Sequence, residues 1–166
     1  MDNVIILPII VVSILPKKLF IYIKLCNFVY MSFNKVVLLL GTNLGNKNNN
    51  LEIAKTLISK EVGEIVKFSN ILENEAEGFT SSSSFLNQKI EVLTHLSPIK
   101  LLQIVKKIEY DMGRVYEKPL AGELYIDRLI DIDILLYNNV IFLSNILTIP
   151  HHQLVTRNFL KDLSFV

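Results

Sequence analysis

The chain has 166 residues, 51% of them hydrophobic, and a formal net charge of +1. That length and apolar content suit one compact domain with a real core, and near-zero charge excludes nucleic-acid binding driven by bulk electrostatics. The single cysteine, Cys26, excludes an internal disulfide framework and a Cys-cluster zinc site, and His95, His151 and His152 lack a metal-ligand spacing; a reducing, cytoplasmic compartment fits.

The first thirty residues differ from the rest. A spanning helix needs roughly 20 apolar residues, and Pro8, Pro16, Lys17 and Lys18 interrupt the run that begins "VIILPIIVVSIL". A secretory signal would open basic and end at a small-residue cleavage site; the early charge here is Asp2, and no Ala-x-Ala pattern follows. Residues 1–30 are expected to be an apolar extension outside the fold, with a membrane anchor or a core element as alternatives. Residues 31–166 are expected to form the working domain.

Within that domain "KVVLLLG" reads as a short apolar strand, Lys35 to Leu40, followed by the polar loop "GTNLGNKNNN". A helix follows from Asn49 to Lys60, with Ala54, Leu57 and Ile58 on one side and an asparagine available as cap. "EIVKFSNILEN" is a strand, "EAEGFTSSSS" a loop, and "FLNQKIEVLT" alternates as a half-buried strand. The next helix has Ser97 as N-cap, Pro98 at its first position and Gly113 after its end. Leu101, Leu102, Val105, Ile108 and Met112 form its apolar stripe. The polar loop "RVYEKPLAGELYID" leads to the strand "DIDILLY". A turn at Asn138-Asn139 with a returning strand comes next, then loop and short helix in "TIPHHQLVTRNFL". The order βαββαβ predicts an α+β, ferredoxin-like fold: an antiparallel sheet, both helices on one face, the other face free.

The last long strand poses the chemical question. Asp131 and Asp133 lie in a run of Leu and Ile, and alternation turns both carboxylates to one face and Ile130, Ile132 and Ile134 to the core. At a rise of ~3.3 Å per residue they sit about 7 Å apart. Two such charges repel unless a cation holds both, and oxygen ligands completed by water favour Mg²⁺, which usually carries nucleotide phosphates. A solvated sheet face on which both pair with Arg128 or a lysine accounts for the pair equally well. Arg114, Arg128, His151 and Arg157 nearby supply donors suited to phosphate.

Several stretches together resemble one family. "LLLGTNLG", "FLNQKIEV", "IEYDMGRV", "DRLIDIDILLYNN" and "TIPHHQLVTRNFL" occur in the order expected of 6-hydroxymethyl-7,8-dihydropterin pyrophosphokinases, and the resemblance covers residues 35–160. It implies transfer of pyrophosphate from ATP to the hydroxymethyl group of a reduced pterin, with release of AMP, in folate biosynthesis. The implied partners are small molecules, ATP and pterin, with no nucleic acid; the implied protein is a monomer. Asp131 and Asp133 look like the pair holding two Mg²⁺ ions that bridge the ATP phosphates. Arg114 and Arg128 would contact phosphates and act with the aspartates in catalysis, Glu109 would lie near the ATP, and His151, His152 and Arg157 would line the nucleotide side. Phe85 and Phe159 match positions that sandwich the pterin ring, and Asn87 one that reads its hydrogen-bonding edge.

The chain departs from the family pattern in places. Tyr116 and Leu124 stand where arginines are common, Tyr125 is a plausible aromatic, and Asp127 replaces a small residue or proline. "ENEAEGF" replaces a Thr-Pro-Pro-x-Gly segment, and the chain's last residue, Val166, comes short of the customary tail. These differences predict weaker phosphate clamping and leave two competing readings, a weakened homologue and a ferredoxin-like binding module without chemistry.

Overall fold

A computed structural model describes residues 33–74, 84–114 and 127–165. The expectations for residues 1–30, for Tyr116, Leu124 and Tyr125, and for most of "ENEAEGF" lie outside the described residues.

Strand β1 (Asn34–Thr42) runs to helix α1 (Lys47–Glu61), then β2 (Glu64–Asn74), β3 (Phe85–Thr94), helix α2 (Pro98–Asp111) and β4 (Asp131–Tyr137). The four strands form one sheet in the order β2-β3-β1-β4, and each neighbouring pair is antiparallel. This is the ferredoxin-like arrangement. Local chemistry sets the helix starts. The Asn46 side chain accepts from the N–H of Asn49 at 3.1 Å, so α1 begins two residues earlier than expected. Ser97 caps α2, Pro98 follows it, and Gly113 takes the positive φ (+94°) that ends the helix.

The main core lies between helices and sheet. Leu38, Leu40, Leu51, Ile58, Ile90, Leu101, Ile108 and Ile132 are all fully buried there. Strand β3 is not half-buried as its alternation suggested. It is central and covered on both faces, so the polar residues Asn87, Gln88, Glu91 and Thr94 are buried too. Each has a partner: Asn87 donates to Asn74 Oδ1 at 2.9 Å and Gln88 to the Ser69 carbonyl at 3.0 Å. Thr94 donates to the Val62 carbonyl at 2.6 Å, and Glu91 pairs with Lys35 and Lys67.

Two expectations are corrected. The turn at Asn138 forms, with φ +45°, but the segment after it does not return along β4. Instead β5 (Phe142–Leu143) pairs with β6 (Thr148–Ile149) in a separate two-stranded sheet. Nor is the second face of the main sheet free. Helix α3 (Gln153–Thr156) and a 3-10 turn (Asn158–Lys161) cross it, and Leu160 and Leu163 bury against Val37, Leu39 and Leu135. Leu135 lies on the same face of β4 as Asp131 and Asp133, and a register shift between Val37 and Leu38 then returns Tyr137 to the main core. Phe165 completes the crossing, bridging to Ser69 on β2, with the Lys89 ammonium 4.7 Å from its ring.

Leu163 is fully buried in this second cluster. Leu163→Ala is expected to lower the unfolding free energy by about 2–4 kcal/mol, measured by urea denaturation. A loss below about 1 kcal/mol would mean that the crossing segment adds little to the fold.

Candidate active site

The ends of β1, β3 and β4 that carry polar side chains meet at one end of the sheet. Asp131 pairs across to Gly41, and Gly41 to Asn87, so these three form a row over β4, β1 and β3. Gly41 has no side chain, and a Cβ there would lie 3.1 Å from the Asn87 amide oxygen and 4.0 Å from Asp131 Cβ. The missing side chain keeps the floor between the two residues open.

Beside that row lies a cleft of about 450 Å³. Lys106, Arg114 and Arg128 line it, with Asp131 and Asp133, and His151, His152, Gln153, Thr156 and Arg157 close the far side. Seven expected residues thus come together: Arg114, Arg128, Asp131, Asp133, His151, His152 and Arg157. Three others stand apart from the lining. Phe85 starts β3, half-buried and opposite Asn74. Asn87 is buried at the end of the Gly41 row. Phe159 packs with the second hydrophobic cluster, its ring centre 5.8 Å from the Arg157 guanidinium carbon.

Glu109, expected close to a nucleotide, is wholly buried behind the cleft. Its Oε1 accepts from Arg114 Nη1 at 2.6 Å and from the Ile132 backbone N–H at 2.7 Å, and its Oε2 from the Lys106 ammonium at 2.9 Å. One carboxylate therefore ties α2 to β4 and aims two cations at the site.

The two aspartates differ in their surroundings. Asp131 receives Arg114 and Arg128, the latter at 2.5 Å. Burial alone would raise its pKa, but Arg128 and Arg114 outweigh burial and hold the carboxyl below the usual value. Among the described residues Asp133 has no such pair. Burial and the charge of Asp131 push it up to about 6. Across the cleft, burial, then His152 and Arg157, lower the pKa of His151, so that its ring is neutral at pH 7.

Sequence reasoning passed over four participants. Asn43, buried after β1, accepts from the Arg128 N–H at 2.7 Å and donates to Asp127 Oδ1 at 2.6 Å. It fixes the segment that carries Arg128, and it gives the unusual Asp127 a role. Lys106 and Gln153 line the cleft, and Gln153 Oε1 is buried without a hydrogen-bond partner among the described residues. Gly41 was visible as a break in an apolar strand; the other three had no local signal. Among the described residues no group of three or more His, Cys, Asp or Glu side chains could cage a metal, and no helix is long and apolar enough to cross a membrane.

Fold and cleft define a ferredoxin-like protein whose sheet presents paired carboxylates to a cationic pocket. Residues 37–163 match the family model described as 7,8-dihydro-6-hydroxymethylpterin-pyrophosphokinase (HPPK), and the chain belongs to that family. It is 36% identical over 127 residues to the 2-amino-4-hydroxy-6-hydroxymethyldihydropteridine pyrophosphokinase of Porphyromonas gingivalis, a match covering 76% of this chain and 85% of that protein. It is 37% identical over 128 residues to a folate synthesis bifunctional protein of Arabidopsis thaliana, where the match covers 77% of this chain and 26% of the relative. The chain thus spans about a quarter of that two-function relative. Among solved structures, a Plasmodium falciparum HPPK-DHPS matches with a TM-score of 0.55 at 20% identity, over 76% of this chain and 36% of that one, a likeness of fold.

Two stability measurements test this geometry. Glu109→Ala leaves two cations beside a buried void and is expected to cost about 3 kcal/mol in urea unfolding. For Asp133 the folded pKa, about 6, lies above the ordinary value of 3.8. The folded state therefore binds the proton more tightly, and ionised Asp133 costs stability above pH 6, a cost that disappears as pH falls toward 4. Asp133→Asn is accordingly expected to stabilise the metal-free protein by roughly 1–2 kcal/mol at pH 7, a gain that fades at pH 4; destabilisation at pH 7 would contradict this electrostatic picture.

Proposed function

We propose that this chain transfers pyrophosphate from ATP to 6-hydroxymethyl-7,8-dihydropterin, giving AMP and the pterin diphosphate, within folate biosynthesis. The observation that carries this is a pair of same-face carboxylates, Asp131 and Asp133, at the edge of a cleft whose other charged walls are Lys106, Arg114, Arg128 and Arg157. In the reaction the hydroxymethyl oxygen forms a bond to the β-phosphorus of ATP as the bond from that phosphorus to the AMP oxygen breaks. The hydroxyl proton leaves to solvent.

The carboxylate pair fits Mg²⁺. Both donors are oxygens, burial and then the charge of Asp131 push the Asp133 carboxyl up, and two carboxylates with water and phosphate oxygens suit an ion that keeps much of its hydration. Bound there, two Mg²⁺ ions would supply charge neutralisation along the phosphates. The chain's own residues do the rest. Arg114 and Arg128 hold Asp131 ionised and in place, and they orient phosphate oxygens once cations take over the carboxylates. Arg157 and the two histidines face the nucleotide from the opposite wall, the neutral His151 as a hydrogen-bonding group rather than a charge. Asn87 offers donor and acceptor to the pterin edge across the opening left by Gly41, and Phe85 and Phe159 offer ring faces to it. Glu109 acts through the groups it holds.

The catalytic domain in this reading is residues 31–166, supported by the family match over 37–163. It acts as a cytoplasmic monomer.

The test is AMP release by the full chain with ATP, Mg²⁺ and the pterin, against reactions lacking one component. Release is expected to need all three, and Asp133→Ala is expected to lower it at least about a hundredfold while the protein stays folded by circular dichroism. Ligand binding without AMP release would favour a weakened homologue. Metal-dependent release unchanged in Asp133→Ala would remove Asp133 from the metal site.

A further inference from the structure

We propose that Lys106 is a polyphosphate-binding residue of this cleft, presented to the anion by Glu109; the assignment rests on the diphosphate-transfer reading above.

Lys106 lies on α2, three residues before Glu109, and lines the cleft. Its ammonium donates to Glu109 Oε2 at 2.9 Å, yet its side chain remains 41% exposed while Glu109 is fully buried. The other oxygen of the same carboxylate accepts from the N–H of Ile132, the residue between the two aspartates. One buried group thus holds the ammonium against the stretch of β4 that carries the site's negative charge. A fully exposed lysine on a helix would be a solvated charge; this one is held by Glu109 and lines the pocket.

Charge balance explains why the lysine matters. Arg114 and Arg128 both engage Asp131, and Arg114 also engages Glu109, so part of their charge is used locally. Around the cleft Lys106, Arg114, Arg128 and Arg157 face Glu109, Asp131 and Asp133. Among the described residues here, four cations stand against three carboxylates, and Lys106 supplies one of the four. A compact ammonium on a flexible stem adapts to a phosphate chain better than a planar fork does.

The experiment is calorimetric titration of the full chain, unaltered and as Lys106→Gln and Lys106→Arg, with magnesium-ATP, magnesium-tripolyphosphate, AMP and the pterin. Glutamine keeps a donor for Glu109 without the charge. Lys106→Gln is expected to bind ATP and tripolyphosphate about tenfold more weakly and AMP less than about threefold more weakly, with pterin affinity unchanged. Lys106→Arg is expected to restore most of the loss. ATP and tripolyphosphate affinity within about twofold of the unaltered chain would overturn the proposal and leave Lys106 a bridge to Glu109. An equal loss for AMP and pterin would overturn it in favour of a structural role, and so would an unaltered chain that does not bind tripolyphosphate. AMP release by the unaltered chain is read separately, so failure of the transferase reading and failure of the Lys106 assignment are told apart.

Discussion

The carboxylate of Glu109 is the joint on which the site depends. Placing a charge where no solvent reaches it costs several kcal/mol unless donors surround it, and here an arginine, a lysine and a backbone N–H do so. The return on that cost is geometric. Helix α2 ends at Asp111 and strand β4 begins at Asp131, and their packing alone fixes only the apolar contacts between them. The hydrogen bond from Ile132 to Glu109 fixes the register, so that Arg114 at the helix end reaches Asp131 at the strand start.

From that joint the two aspartates acquire unequal characters. Asp131, held by two guanidinium groups, is an ionised anchor at any pH near neutrality. Asp133, two residues on and on the same face, carries the electrostatic cost of its neighbour and of burial. In the function proposed above a divalent cation would relieve such a pair. In that reading the site exchanges stability for function: groups whose removal would strengthen the fold are the ones that would bind the ligand.

Much of this was legible in the chain. The spans of β2 and β3 match the stretches read from periodicity, because two-residue alternation and flanking turn residues mark strands directly. The Ser97-Pro98 start and Gly113 end of α2 followed from backbone chemistry, and the facing of Asp131 and Asp133 followed from the strand repeat alone. What escaped was non-local. The C-terminal cover over the second sheet face is built by Leu160 and Leu163, whose short helical turns have no periodicity long enough to show a buried side. Asn43 reads as one more polar residue in an asparagine-rich loop until Arg128, 85 positions later, arrives beside it. Glu109 was expected near the ATP, and its burial escaped because Lys106, Arg114 and Ile132 decide it together, contacts that a helical sequence does not display.

The strand order has a consequence for how the protein comes to exist. Central strand β1, with the run "VVLLL", is synthesised early, but its neighbours on the two sides are β3 and β4, and β4 comes after residue 130. Until then one edge of the most apolar strand has no cover, and contacts between distant parts of a chain form slowly. A nascent chain halted between β3 and β4 presents an unpaired apolar edge, the kind of surface that captures other chains. The strand that carries the acidic pair is therefore also the strand that closes the sheet: the charged cleft and the protection against aggregation are completed in the same step.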